Sequence, residues 1–263
     1  MKLLTSSEIK EYELNILLDV KRFCENNNIR FYLASGTLIG AVRHHGFIPW
    51  DDDIDIYMPR PDYEKFLMSY YSPKGFKVIS NLLHNWDHPY AKVINTLTRV
   101  ESVEAENEPG LWIDIFPVDG LPEDLKVVEK IYKKGKLYRH FLWCGYSKFG
   151  TGGSTIRKLA KYIIKPLVSI YGINKLCEKL ENMAHTYPYE SSEYVGAITW
   201  GYVAGERMKK SEFEKVVNVS FEGYEFPTFS CWDSYLHNVY GDYMILPPEN
   251  ERQTHRMKVY VKD

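Results

Sequence analysis

Asp53-Ile54-Asp55-Ile56 is the stretch that most narrows what this chain can fold into. On a strand, alternation sends both isoleucines to one face and both carboxylates to the other. Acids on a half-buried strand face are costly unless a cation or hydrogen-bond donors meet them. Upstream, Ser35-Gly36 opens the apolar run Thr37-Leu38-Ile39-Gly40-Ala41-Val42. Such a Ser-Gly turn gives a ligand close access to backbone and to the free amides of a helix start. The reading is a strand over 29–34, a short helix over 37–42 and a strand over 54–58, with a phosphate cradle facing a metal site. Oxygen-only ligands suit Mg2+, with Mn2+ as the substitute, bridging phosphate oxygens. The bland alternative is an acidic loop that happens to run into a strand.

A third acid of the same kind is Asp114, isolated in the apolar run Trp112-Ile113-Asp114-Ile115-Phe116. It reads as a third metal ligand or as the base for an attacking hydroxyl; otherwise it is a buried acid satisfied by amides or an arginine. Pro117 and Asp119-Gly120 are expected to close that strand in a turn. Arg43, after the short helix, and Lys92, in a strand over 91–94, are the candidate phosphate cations, together with Ser35, Gly36 and Thr37 as the cradle. Near the carboxyl end, Asp242, Arg252 and His255 lie in a proline-containing stretch that reads equally as a substrate clamp or as a wrap around the core. Trp86, Tyr90 and Trp112, with Trp200, are candidates for an aromatic cage around a quaternary ammonium, core packing being the ordinary use of each.

At 263 residues the chain has room for one large domain or a core with an insertion. Its 44% hydrophobic and 26% charged content is that of a water-soluble globular protein. The four cysteines are widely separated, with no CxxC pair, which argues against zinc or a disulfide framework and for a reducing, cytoplasmic setting. No signal peptide and no membrane-spanning run are read. The net charge of −2 conceals an asymmetry: between Lys126 and Lys179 thirteen Lys and Arg face two acids, giving +11 there and −13 elsewhere. An anionic partner fits that segment, unless its helices simply carry a solvated face.

Helices are expected from a Ser6 or Ser7 cap to about 25, with Leu14, Leu17, Leu18 and Phe23 as its stripe, and over 62–71 with Asp62 as cap. Further short strands are expected near 76–79, 112–116, 195–200 and 224–229, and a last helix over about 231–239. Residues 123–187, interrupted by Gly150-Thr151-Gly152-Gly153 and Pro166, read as two or three helices. Within them, 158–173 mixes lysines with Ile163, Ile164, Leu167, Val168 and Ile170; core packing is the preferred use, a membrane interface the other. The fold class is therefore α+β, a mixed-sheet core flanked by helices. Its parts are a core with the metal site over 1–122, a basic helical subdomain over 123–187, and a segment over 188–263 that completes core and pocket.

Ser35-Gly36-Thr37-Leu38-Ile39-Gly40-Ala41-Val42-Arg43-His44-His45-Gly46-Phe47-Ile48-Pro49-Trp50 followed by Asp51-Asp52-Asp53-Ile54-Asp55-Ile56 closely resembles the signature of the LicD family of phosphotransferases. Blocks at 112–122 and 240–248 are similar to later family blocks, in the same order. The resemblance implies a nucleotidyltransferase-like core, with Ser35 and Gly36 on phosphate, Asp53 and Asp55 on the metal, and Asp114 as third acid. It also implies a reaction: a glycan hydroxyl attacks the phosphorus of a CDP-alcohol, CDP-choline being favoured, and CMP leaves. The implied acceptor is a cell-surface glycan or its polyprenyl-pyrophosphate-linked precursor, with no nucleic acid; the +11 of the basic segment would suit peripheral contact at the inner membrane face. A nucleotidyltransferase that moves NMP, and a catalytically silent glycan-binding module, are the competing readings.

Overall fold

The computed structural model describes residues 1–102, 109–151, 155–252 and 257–262, the side chains of 156–158 and 251 excepted. In chain order the elements are β1 (Lys2–Leu3), α1 (Ser6–Asn27), β2 (Tyr32–Leu33), α2 (Ser35–His44), β3 (Asp55–Pro59), α3 (Arg60–Ser69), β4 (Phe76–Ile79), β5 (Ala91–Asn95), β6 (Thr98–Ser102) and β7 (Leu111–Leu121). There follow α4 (Leu125–Tyr146), α5 (Thr155–Tyr171), α6 (Ile173–Ala184), β8 (Tyr194–Gly196), β9 (Met208–Lys209), the single turn α7 (Lys210–Phe213), β10 (Val216–Phe221), β11 (Tyr224–Phe229), α8 (Trp232–Tyr240) and β12 (Met257–Val261). The fold is α+β.

The central sheet runs β2-β3-β7-β5-β4, with β8 on the far end of β7 and β9 beyond it. Among the described residues only the β3–β7 pairing is parallel, with Asp55 opposite Asp114; β7–β5 is antiparallel, with Lys92 opposite Asp114. β12 returns to pair with β6 and β1, forming a small sheet over Leu4, Ile9, Ile94, Trp112 and Val259. The hairpin β10–β11 turns at Glu222-Gly223, both with positive φ, and packs against α2 and β2.

The cap of α1 is Thr5, one residue before Ser6 and two before Ser7, the two expected caps. Thr5 Oγ1 accepts from Glu8 N (3.3 Å) and Glu8 Oε2 accepts from Thr5 N (2.8 Å), a reciprocal box that satisfies two end donors. Its buried line is Ile9, Ile16, Leu17, Val20 and Cys24, with Leu14, Leu18 and Phe23 on the shoulders. Asp62 is not a cap: Pro59 precedes α3, and Asp62 accepts from Arg30 N (2.9 Å) and Nε (2.8 Å).

The expected turn at Pro117 does not occur, because β7 continues through Leu121. Asp114 N donates towards β3, so alternation sends the nitrogen of residue 117 the other way. On that side β5 has ended opposite Ile115 and β8 begins opposite Asp119. The missing N–H of proline therefore falls in the gap between two partner strands, where no ladder bond is lost. Asp119, expected in a turn, is buried and accepts from Arg60 Nε at 2.6 Å.

Helices α4, α5 and α6 pack on one another around Leu142, Tyr146, Val168, Leu176 and Leu180. Pro166 does not break α5 but lies inside it; the chain turns instead at Gly172, whose φ of 99° few other residues tolerate. Core packing holds for Ile164 and Val168 and fails for Ile163, Leu167 and Ile170, which face outward.

Candidate active site

The first turn of α2 is the candidate phosphate cradle. Ala34 supplies no side-chain cap, so the opening amides of the helix keep their donors. Ser35 stands at φ 48°, in the left-handed region, which sets the sharp entry from β2. A Cβ on Gly36 would lie 3.0 Å from Asp51 Oδ2, so the glycine lets the acidic loop close over the helix start. Thr37 serves another purpose: its Oγ1 accepts from Asp55 N at 2.8 Å and ties α2 to the first residue of β3.

Three neighbouring strands then present one face to a cavity of about 560 Å3. Alternation runs along the strands and the segments leading into β3 and β5: Asp53, Asp55 and Tyr57; Trp112, Asp114 and Phe116; His88, Tyr90 and Lys92 all line it. Ile54 and Ile56 are fully buried on the opposite face. Asp55, Asp114 and Lys92 form one row across β3, β7 and β5. Asp114 Oδ2 accepts from Trp112 Nε1 (3.3 Å), and Lys92 Nζ lies 3.8 Å from Oδ1. The same ammonium sits 3.7 Å from the centre of the Trp112 ring. Burial pushes the Asp55 carboxyl well above its ordinary range, and the charges of Asp53, Asp114 and Asp51 push it further.

Among the described residues no three His, Cys, Asp or Glu side chains form a ready-made metal shell. The donor set nevertheless fits a hard cation that keeps waters and substrate phosphate oxygens as its other ligands, since Mg2+ is commonly held by only one or two carboxylates. A cation would also offset the repulsion within this cluster.

Arg43, a candidate phosphate ligand, turns away: its Nη1 donates to the Tyr243 carbonyl and its Nε to His44 Nε2 (2.9 Å). Asp242 is exposed, and Arg252 stacks over Trp50 at 4.3 Å, beside the acidic loop. His255 lies outside the described residues. Tyr90 and Trp112 line the cavity, whereas Trp86 lines a neighbouring one of about 420 Å3 and stacks on His88. Because Lys92 occupies the face of Trp112, the aromatic wall open to a ligand is that of Tyr90, Trp200 and Tyr202, with Tyr90 and Trp200 centred 4.9 Å apart.

Several residues escaped the sequence reading. Glu13 on α1 is 1% exposed, its Oε2 has no hydrogen-bond partner among the described residues, and burial followed by the charges of Asp53, Asp52 and Asp51 raises its pKa well above normal. The signal was its place four residues after Ile9 and four before Leu17, inside the apolar stripe. Glu206 accepts from Val203 N (3.2 Å), Tyr202 N and Tyr57 Oη (3.3 Å), and Tyr57 Oη in turn meets Tyr235 Oη at 3.0 Å. Burial pushes the Glu206 carboxyl up to about 7 against these donors. Lys136, Arg139 and His140 bring α4 to the cavity wall. Nothing local in 126–143 distinguishes them from other helix-surface cations.

The family model LicD/FKTN/FKRP, nucleotidyltransferase domain, matches residues 28–147. The lipopolysaccharide cholinephosphotransferase LicD of Haemophilus influenzae is 31% identical over 265 aligned residues, covering 98% of each chain. This chain belongs to the LicD family. An uncharacterised protein of Rickettsia prowazekii is 26% identical over 140 residues, about half of each chain. The matched LicD domain contains the cradle, all three cavity-lining acids, Lys92 and the α4 wall; Trp200 and Tyr202 come from beyond it.

Proposed function

We propose that this protein transfers a phosphoalcohol, phosphocholine first among the candidates, from a CDP-activated donor to a hydroxyl of a cell-surface glycan or its lipid-linked precursor, releasing CMP at the cytoplasmic side. The observation that carries the reading is the row Asp55, Asp114 and Lys92, set across three strands between a helix start and an aromatic wall. Full-length similarity to a cholinephosphotransferase favours choline as the alcohol.

Asp53 and Asp55 would hold Mg2+, with Asp114 as the third acid, and the ion would neutralise negative charge on the donor pyrophosphate. The opening amides of α2 at Ser35 and Gly36 bind phosphate oxygens. Lys92, buried and beside Asp114, adds a fixed positive charge where the transferred phosphoryl group gains negative charge. Asp114 orients the acceptor hydroxyl and takes its proton as the new O–P bond forms and the P–O bond to CMP breaks. Tyr90, Trp200 and Tyr202 receive the trimethylammonium head by cation–π attraction.

The test is to supply the protein and Mg2+ with CDP-choline, CDP-ethanolamine, CDP-glycerol and CDP-ribitol, with and without glycan acceptors. CMP release with the phosphoalcohol recovered on the glycan supports the reading. Pyrophosphate release with nucleotide on the acceptor would replace it with nucleotidyl transfer; no turnover, and no change in glycan binding on Asp53→Ala and Asp55→Ala, would leave a binding module.

A further inference from the structure

Besides Ile164 and Val168, which pack inward, helix α5 carries a second apolar stripe outward. Leu159, Ile163, Leu167 and Ile170 recur every three or four residues, so they form one stripe along the helix. They are 63%, 69%, 59% and 83% exposed. On the inner side, Lys161 is buried, with Nζ donating to Thr151 Oγ1 at 2.8 Å, and Lys165 Nζ donates to the Ser147 carbonyl at 3.0 Å. An amphipathic helix on a water-facing surface has the opposite arrangement. Aromatic rings extend the stripe: Tyr162 stacks on Phe149, with centres 5.1 Å apart, and both are largely exposed.

We propose that this face of α5 docks the protein on an anionic lipid bilayer, with Leu159, Ile163, Leu167 and Ile170 entering the interface. Charge selects the occupant. The two helices packed against α5 expose Lys126, Lys130, Lys133 and Lys134 on α4 and Lys175 and Lys179 on α6, within the segment that carries +11. A second copy would bring the same +11 against it, whereas acidic headgroups complement it. The stripe is also the outer face of a single helix, suited to shallow insertion among headgroups and acyl chains. The aromatic rings at its edge are of the kind that favour the boundary between water and hydrocarbon.

The docking surface depends on the proposed phosphoalcohol transfer only for its purpose, and its test does not depend on turnover. The full chain is sedimented with vesicles of phosphatidylcholine alone and of phosphatidylcholine mixed with phosphatidylglycerol. The expected result is binding to the mixed vesicles, weakened about tenfold or more by the combined variant Ile163→Ser, Leu167→Ser, Ile170→Ser. It should also weaken with added salt and on charge reversal of Lys130, Lys133 and Lys134. The serine variant keeps the wild-type melting temperature, because its changes lie on an exposed face, and keeps CMP release with a water-soluble acceptor. Loss of vesicle binding with that release intact separates a docking defect from a catalytic one. Absence of binding to mixed vesicles at low salt, or equal binding by the serine variant, overturns the proposal. So does a wild-type dimer that fails to bind vesicles and that the serine variant converts to a monomer, which would assign the stripe to a second copy.

Discussion

Asp55 and Asp114 sit opposite each other on parallel strands, in the acidic cluster proposed to hold the cation and the phosphate. Asp55→Asn and Asp114→Asn should each lower CMP release by about a hundredfold or more with little change in melting temperature. Asp242→Asn, on an exposed side chain, should stay near wild type in both measurements. Glu206 makes a separate prediction. Its pKa rises from an ordinary 4.5 to about 7, so the native state holds a proton that the unfolded chain releases. The resulting stability is complete below pH 4.5 and disappears as pH climbs through 7, about 3 kcal/mol over that window. Glu206→Gln should flatten the fall in denaturation midpoint between pH 5 and 8; an unchanged slope would assign it to other groups. The site acids were readable because two-residue alternation is written into 53–56 and 112–116; one more step of that rhythm reaches Tyr57, and the same rhythm run back from Lys92 through Tyr90 reaches His88. Thr37 and Arg43, read as phosphate contacts, bond protein groups in the structure. A hydroxyl or guanidinium near a cradle bonds whichever acceptor or donor tertiary packing brings to it, here the Asp55 amide and the Tyr243 carbonyl.

Element boundaries depend on partners the local sequence does not name. Helix α1 starts where Glu8 reaches back to Thr5, and Thr5→Ala should cost about 1 kcal/mol of unfolding free energy, read from a urea midpoint. Ser6 or Ser7 looked equally able to cap, since both hydroxyls lie within reach of a helix start. Strand β7 outran its proline because its neighbours change at that position, a fact of sheet order rather than of composition. Helix α5 kept Pro166 within it, on the exposed side. In each case the residue preference was real, and a contact from a distant segment decided whether it applied.

Across the whole molecule, the helical segment meets the sheet through an apolar cluster of Leu121, Val128, Tyr132 and Ala184 and through a charged contact centred on Arg60. Arg60, at the start of α3, reaches Asp119 on β7 through Nε and Glu181 on α6 through Nη1. Arg60→Ala should destabilise by about 3–5 kcal/mol, because Asp119 would remain buried without its counter-charge. Adding Asp119→Asn to it should recover part of the loss, as a double-mutant cycle of melting midpoints would record. The charge asymmetry of the chain was visible from composition, while the outward turn of the α5 stripe was not: a period of 3.6 reports which residues share a face but not which way that face points.

The continuity of β7 has a kinetic meaning. The strand is paired with β3 from Asp114 to Val118 on one side, and on the other with β5 up to Ile115 and with β8 from Asp119, so its central amides cannot meet solvent unless several strands separate together. In native-state hydrogen exchange, the amides from 112 to 116 should be among the last to take up deuterium, well after those of α5. The acid proposed to face the acceptor hydroxyl would then belong to the part of the protein that opens last, and transient loosening of the helical face would leave the candidate site in place.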